Sequence, residues 1–182
     1  MLLRFSCLPN GRRHRTNPML KSIIGLLLLS STLLAQSQPS AEAIKKDVQT
    51  LQNAANDTMG GIVSGLGVLQ AARGTFLEGY GIVVTMEVAL EPPRNPFTAM
   101  KTSDDVRTTV AQKRKATVEK LTNLLKDKVL ALESIGPTES ASIIVYLLNA
   151  NPGDLPDMPA QLVLTMKKQD ASAGTVKLTE YR

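Results

Sequence analysis

The chain is poor in the residues on which most catalytic and metal sites depend. Its 182 residues include one cysteine, one histidine and no tryptophan, and only 3% are aromatic. Cys7 and His14 both lie before residue 35, so removal of that segment leaves a chain with neither thiol nor imidazole. Triads and dyads built on these groups are then excluded, as are the usual zinc and haem sites. We predict no catalytic, metal or cofactor site.

Residues 1–35 have the layout of a secretory signal peptide. Basic residues precede an apolar run at 23–34, and Ala35 follows it, an order typical of exported proteins. The run is shorter than the roughly 20 apolar residues that span a bilayer. We expect cleavage after Ala35 or Ala43, with Met19 as an alternative start. Contact with a membrane is expected only if the leader stays uncleaved.

Cysteine usage and charge indicate where the protein works. Secreted eukaryotic domains of this size usually carry disulfides, so a mature chain without cysteine favours a bacterial protein of the periplasm or the extracellular space. The formal net charge of +5 comes from the leader, which holds five basic residues and no acidic one. Beyond residue 35, sixteen basic residues balance sixteen acidic ones. This neutral balance gives no electrostatic attraction for nucleic acid.

The mature chain has the length of one domain. After a polar tether at 36–40, we expect a single domain over 41–182. Apolar residues recur every three or four positions at 41–57, which predicts a helix there. The glycines at 60–67 interrupt it, and the Lys followed by Ser or Thr that a phosphate-binding loop needs does not follow them.

A tight hairpin is the clearest local prediction. Alternating apolar residues predict strands at 68–77 and 81–90, with a turn between them whose glycines accept positive backbone dihedrals. A tyrosine between two glycines at a turn is placed for contact with a partner, or it packs over its own strands. We therefore predict a candidate recognition surface that consists of Arg73, Glu78, Gly79, Tyr80 and Gly81.

A long helix and three further strands complete the domain. The helix begins near Thr102 or Ser103, either of which can cap it, with Asp104 and Asp105 in the first turn where the helix dipole favours acids. It is predicted to run about thirty residues, to Gly136, with one buried stripe. The remaining strands are predicted at 142–148, 161–167 and 175–181.

The element order α-β-β-α-β-β-β predicts an α+β fold. We expect a mostly antiparallel sheet of four to five strands, with the long helix packed across it. The strand at 142–148 is apolar at almost every position and is expected to be the least exposed. One helix covers only one face of a sheet, so this strand needs further cover, either from the first helix or from a partner.

The polar residues form no recognisable catalytic pattern. Glu87 and Glu91 fall on one strand face about 13 Å apart, too far for a glycosidase pair, and are expected to face solvent. The basic residues at 113–115 are expected on the wet side of the long helix. The loop at 149–159 contains four oxygen donors, which match turn chemistry better than a calcium loop. These four are Asn149, Asn151, Asp154 and Asp157.

Three functions follow as hypotheses. The first is a small exported, non-catalytic protein that acts through protein–protein contact in the cell envelope or outside the cell, with another protein or a second copy as its partner. The alternative is a periplasmic carrier of a small apolar ligand, held between the long helix and the sheet. A further alternative is an enzyme of unknown reaction that uses carboxylates or lysine.

Overall fold

The structure is a computed structural model that describes residues 38–63, 67–92 and 101–182. The predicted leader, with Cys7 and His14, lies outside the described residues. Two helices and five strands follow in the predicted order. They are α1 (Ala41–Gly60), β1 (Val68–Leu77), β2 (Gly81–Val88), α2 (Ser103–Lys128), β3 (Ser140–Leu147), β4 (Gln161–Lys167) and β5 (Lys177–Tyr181).

The five strands form one sheet in the order β1-β2-β3-β4-β5. Three of the four neighbouring pairs are antiparallel, and only β2 and β3 run parallel. The parallel pair follows from α2, because a helix between two strands returns the chain to the end of the sheet where the first strand began. The predicted α+β class, with a mostly antiparallel sheet and a long helix, is confirmed.

Local residues set both ends of helix α1. The Ser40 side chain accepts a hydrogen bond from the Ala43 N–H at 3.1 Å and so caps the first turn. The helix continues to Gly60, three residues beyond the predicted end at 57, and stops at a pair of glycines. Its buried residues lie on one side, as predicted, and are Asp47, Leu51, Ala55 and Met59.

Helix α2 begins with a reciprocal cap. The Thr102 hydroxyl accepts from the Asp105 N–H at 3.1 Å, and the Asp105 carboxylate accepts from the Thr102 N–H at 3.1 Å. These hydrogen bonds hold the pKa of Asp105 below its ordinary value, since the Thr102 side chain and backbone both donate to the charged carboxylate. The predicted start of the helix is confirmed.

The predicted length of about thirty residues is confirmed, since α2 and the 3₁₀ turn Val129–Ala131 together span 29 residues, but the predicted end at Gly136 is wrong. The α-helix stops at Lys128 and continues only as a short 3₁₀ turn. Beyond it, the Asp47 carboxylate accepts from the Ser134 N–H at 2.7 Å, and the Lys168 ammonium donates to two carbonyls of the segment. Side chains from other elements thus satisfy backbone groups that a continuing helix would pair internally.

Strand boundaries differ from the predictions by a few residues. Strand β4 has the predicted bounds, whereas β2 ends at Val88 and β3 begins two residues early, at Ser140. Strand β5 begins at Lys177, because a 3₁₀ turn and further turns occupy the preceding residues. Strand β3 has the most buried residues, six of eight, but Tyr146 is exposed, whereas β2 has no exposed residue, so the prediction that β3 is the least exposed strand is met only in its number of buried residues.

Both helices cover the same face of the sheet. Leu51 of α1 and Leu121 of α2 belong to one core cluster with Val84, Ile143 and Leu164 of the sheet. Val48 of α1 also packs over Gly74 of β1, which pairs with Val84. Helix α1 therefore does not supply the further cover that was expected for the second face.

Candidate functional site

The second face of the sheet is the most unusual surface of the molecule. We call it the open face; it consists of the odd-numbered residues 73–77, 81–87, 161–167 and 177–181 and the even-numbered residues 140–146. All of them are half-buried or exposed except Gly81, Ser140 and Ser142, which lie at the hairpin end. Among the described residues, no helix or strand packs over this face.

All three tyrosines of the chain lie on or above the open face. Tyr146 of β3 and Tyr181 of β5 both pair with Gln161 of β4, so they stand in one row across the sheet, about 10 Å apart. Their side chains are 47% and 53% exposed. Tyr80 reaches the face from the β1–β2 turn. All three tyrosines of the chain thus lie on the side of the sheet that no described helix or strand covers.

Tyr80 is held against the sheet by its hydroxyl. The Tyr80 Oη lies 2.7 Å from Ser142 Oγ, and Ser142 Oγ lies 2.8 Å from Thr165 Oγ1. This chain of three hydroxyls crosses from the turn to β4 and fixes the position of the ring, which remains 42% exposed. The hydroxyl thus ties Tyr80 to β3 beyond its own hairpin, and contact of the exposed ring with a partner stays a prediction.

The two glycines of the predicted surface are structural. Gly79 lies at the third position of a turn in which the Tyr80 N–H donates to the Leu77 carbonyl, and its φ of 74° fits a type II turn. Gly81 has a φ of 117°, and a β-carbon there would collide with the Ser140 carbonyl of the parallel strand. Gly81 is therefore required where β2 and β3 approach each other.

The other predicted residues belong to different parts of the surface. Arg73 lies on the open face opposite Thr85, and its side chain is exposed. Glu78 is exposed in the turn itself. The structure therefore places Arg73 and Tyr80 on one face, leaves Glu78 and Gly79 at the tip, and buries Gly81. Recognition of a partner by these residues stays a prediction.

Tyr146 and Tyr181 are the site residues that the sequence prediction missed. Tyr146 falls on the outward set of β3, whose neighbours Val145 and Leu147 are buried, and Tyr181 lies in β5, which has no buried residue. The near-continuous apolar run of β3 hid the outward direction of Tyr146 in the sequence. Their proximity to each other was not predictable, because it depends on the pairing of both with Gln161.

Charges occupy opposite corners of the open face. Glu87 lies on β2 in the tyrosine row, at the end away from the hairpin turn. Lys167 of β4 and Lys177 of β5 lie near the other end of the face, on the far side of β3. Arg73 lies at the β1 edge, one row from Glu87. The face therefore has Glu87 and Arg73 together at one corner and two lysines at the diagonally opposite corner, with hydroxyl and apolar side chains between them.

The outer edge of β1 is protected against another strand. The Asn56 side chain of α1 accepts from the Ala72 N–H at 2.7 Å, and the Gln52 side chain accepts from the Gly74 N–H at 3.0 Å. These contacts occupy main-chain donors that a further strand would need.

The expectation that Glu91 faces solvent is wrong. Its side chain is only 6% exposed, and it forms ion pairs with Lys101 and with Lys113, the latter at 3.4 Å. The Lys113 ammonium also donates to the Leu90 carbonyl at 2.6 Å. Glu91 lies beyond the end of β2 at Val88, so strand alternation does not govern its direction. Of the basic run at 113–115, Lys113 is thus half-buried, not fully solvated.

One of the four oxygen-bearing residues of the loop at 149–159 makes side-chain hydrogen bonds of the kind found in turns. The Asn149 side-chain oxygen accepts from the Asn151 N–H at 3.1 Å, and its amide donates to the Leu155 carbonyl at 2.7 Å. The other three contact distant residues: Asp154 accepts from the Ser103 hydroxyl at 2.7 Å, the Asn151 amide donates to the Pro92 carbonyl at 3.2 Å, and Asp157 pairs with Arg182. Within the described part of the chain, no group of three or more His, Cys, Asp or Glu side chains could hold a metal ion.

An open cleft of about 450 Å³ separates this loop from α2. Val110, Leu155 and Met158 supply apolar walls, and Arg107 and Arg114 lie beside them. Both arginines already have partners, since Arg107 Nε donates to the Asp154 carbonyl at 2.9 Å and Arg114 pairs with Glu180. The cleft lies outside the helix–sheet core, so its position differs from that of the pocket expected from the sequence.

Comparison of the chain with protein family models, with curated proteins and with solved structures found no match. None of the helices in the described ranges combines the length and apolarity needed to cross a bilayer.

Proposed function

We propose that this protein is a small exported, non-catalytic protein of the cell envelope or the extracellular space that acts through protein–protein contact. The open face is its contact surface. The observation that carries this proposal is the placement of Tyr80, Tyr146 and Tyr181 together on the uncovered side of the sheet. Tyrosine is enriched in protein interfaces and in their energetic hot spots.

The composition of the open face supports contact with a protein. Val83, Ile144 and Val163 are half-buried apolar residues at its centre, and polar side chains surround them. An apolar centre with a polar rim is the usual arrangement of a non-obligate interface. The threonine and serine hydroxyls of the face are compatible with water when the partner is absent, so the protein is expected to exist both free and bound.

The position of Tyr80 supports binding without a large rearrangement. The Tyr80–Ser142–Thr165 hydroxyl chain orders the ring before a partner arrives. A side chain that is already ordered loses less conformational entropy on association. The open face is therefore pre-organised at its hairpin end.

Site-specific photocrosslinking in the native cells tests this proposal. A photoreactive residue replaces Tyr146 in one variant and Leu130 in a matched control. Leu130 is an exposed apolar residue next to the end of α2, away from the open face. We expect adducts of higher mass from position 146 and few from position 130. Equal yields at both positions, or no adduct at 146, would refute the open face as the contact surface.

The cleft beside α2 supports a second candidate function, a carrier of a small apolar ligand. Its volume of about 450 Å³ and its walls of Val110, Leu155 and Met158 suit a compact apolar molecule. The test is titration with an environment-sensitive apolar dye, compared between the native protein and Ala111→Phe, which fills the cleft. Dye binding that is unchanged by Ala111→Phe would remove this candidate.

A further inference from the structure

We infer that the free edge of β5, together with the cleft beside α2, binds an extended peptide segment of a partner protein. The segment adds to the sheet as a further strand, antiparallel to β5, and places one bulky apolar side chain in the cleft. This inference goes beyond the proposed function, because it uses a surface other than the open face. Three observations carry it: the unpaired main chain of β5, the position of the cleft at the end of β5, and the unpaired charge of Lys177.

The outer edge of β5, the last strand of the sheet, carries unpaired main-chain groups. The Leu147 N–H donates to the Ala160 carbonyl at 2.8 Å, so even-numbered residues of β4 direct their main-chain groups to β3 and odd-numbered residues direct theirs to β5. The odd-numbered residues of β4 pair with the odd-numbered residues of β5. The N–H and C=O groups of Leu178 and Glu180 therefore point away from the sheet, and no described residue hydrogen-bonds to them. At the β1 edge, by contrast, side chains of α1 occupy the main-chain donors.

The cleft beside α2 opens next to the last residues of β5. Arg114, on the α2 wall of the cleft, pairs with Glu180, and Asp157, on the loop wall, pairs with Arg182 at 3.8 Å. Residues that lie opposite each other on neighbouring strands share a face of the sheet. A peptide residue opposite Arg182 therefore lies on the helix side and directs its side chain toward the apolar walls of the cleft. Strand addition of this kind combines main-chain hydrogen bonds for affinity with a side-chain pocket for specificity.

Lys177 determines the charge that the segment carries at its other end. It is exposed on the open-face side of β5 and forms no ion pair with a described residue. An acidic side chain directly opposite a lysine stabilises a strand pair. In an antiparallel strand, the residue opposite Lys177 comes five positions after the residue opposite Arg182. The segment that fits therefore has a bulky apolar residue and, five positions later, an acidic one.

The shortness of the edge favours a peptide over a second folded copy. Strand β5 has five residues, which span about 17 Å. Two folded copies joined at this edge alone would bury much less than the about 800 Å² per partner of a specific interface. A flexible segment can follow the edge and fill the cleft at the same time.

Fluorescence anisotropy of a labelled nine-residue peptide with the purified protein tests the inference. The peptide alternates threonine and valine, with leucine at its second position, opposite Arg182, and glutamate at its seventh, opposite Lys177. N-methylation of the amides at the fourth and sixth positions, which face β5, is expected to raise the dissociation constant about tenfold or more. N-methylation at the third and fifth positions, which face away from β5, is the matched control and is expected to leave it unchanged.

The two side-chain contacts are tested separately. Ala111→Phe fills the cleft and is expected to raise the dissociation constant of this peptide about tenfold, but to leave that of a peptide with alanine at its second position unchanged. Lys177→Glu is expected to raise the dissociation constant about threefold or more, and lysine at the seventh position of the peptide is expected to restore binding to this variant. Lys45→Glu makes the same charge change on an exposed residue of α1 and is the control without effect.

Absence of peptide binding overturns the inference, as does an equal effect of the two N-methylation patterns. Dye binding in the cleft without peptide binding also overturns it and favours the small-ligand carrier. A dimer that forms through β5 and excludes the peptide would show that a second copy occupies the edge instead. Tyr146→Ala alters the open face and is expected to leave peptide binding unchanged, so failure of crosslinking at position 146 refutes the proposed function without touching this inference.

Discussion

The two faces of the sheet differ in cover although they come from the same strands. In β3, Ile143 points toward the helices and is fully buried, whereas its neighbour Ile144 points to the open face and is half-buried. The covered side of the central strands is built from isoleucine, valine, leucine and methionine. The open side mixes valine and isoleucine with threonine, serine and tyrosine. Among the described residues, the fold thus keeps its core on one side of the sheet and a mixed polar and apolar surface on the other.

Strand β3 carries apolar residues on both faces of the sheet. Strands that are covered on both faces are apolar at almost every position. In the described residues, α1 and α2 cover one face alone. The proposed contact surface gives Ile144 and Tyr146 a role that the isolated domain does not.

The largest expected effect on stability comes from comparing one residue on each face of β3. Ile143→Ala removes a fully buried side chain and is expected to lower the free energy of unfolding by about 2–5 kcal/mol. Ile144→Ala makes the same change one residue later, on the half-buried side, and is expected to cost about 1 kcal/mol. Urea unfolding of both variants at a concentration where the protein is monomeric provides the measurement. Equal losses would show that the two faces do not differ in burial.

The hairpin end of the open face provides the next comparison. Gly81→Ala forces a side chain into a positive φ and against the Ser140 carbonyl, so a loss of about 3 kcal/mol or more is expected. Gly79 also has a positive φ, but a β-carbon added there meets no atom within 4 Å. Gly79→Ala is therefore expected to lower the free energy of unfolding by about 1 kcal/mol. Thermal unfolding of the pair measures the difference. A milder effect at Gly81 than at Gly79 would contradict the close approach of β2 and β3.

A smaller effect tests whether Tyr80 is held by the sheet. Tyr80→Phe removes the hydroxyl that bonds to Ser142 and is expected to cost about 0.5–1.5 kcal/mol. Tyr146→Phe is the matched control on the same face. Little change in stability is expected, because the Tyr146 ring is exposed and water can solvate its hydroxyl. Unfolding midpoints in urea distinguish the two. A neutral Tyr80→Phe would mean that the hydroxyl chain does not order the ring.

Local patterns in the sequence predicted most of the fold. Alternation and turn glycines predicted β1, β2 and the hairpin, and the Thr102 and Asp105 pattern predicted the start of α2. These features depend on residues close together in the chain. The end of α2 was mispredicted, because Asp47 and Lys168 reach its backbone from distant segments.

The candidate site was predicted only in part, for the same reason. Tyr80 and Arg73 belong to a local hairpin, so their pattern was visible. The row that contains Tyr146 and Tyr181 depends on three strands in register, and the burial of Glu91 depends on Lys113, which is 22 residues away along the chain. Contacts of this kind depend on strand order and helix placement, which periodicity in one segment does not reveal.

The smallest expected effect on stability comes from Asp105, at the start of the helix that covers the buried face of the sheet. Asp105 caps α2, and its hydrogen bonds with Thr102 lower the pKa of its carboxyl below the ordinary value of about 4. The unfolded chain therefore binds a proton at a higher pH than the folded chain, so the contribution of Asp105 is complete above pH 4 or so and is lost as the pH falls through the lower folded pKa. Asp105→Asn keeps the shape and removes the charge. It is expected to lower the melting temperature slightly at about pH 7, and the difference from the native protein should shrink toward about pH 3. Circular dichroism melts across that range measure it. A difference that stays constant with pH would show that the carboxylate charge does not stabilise the cap.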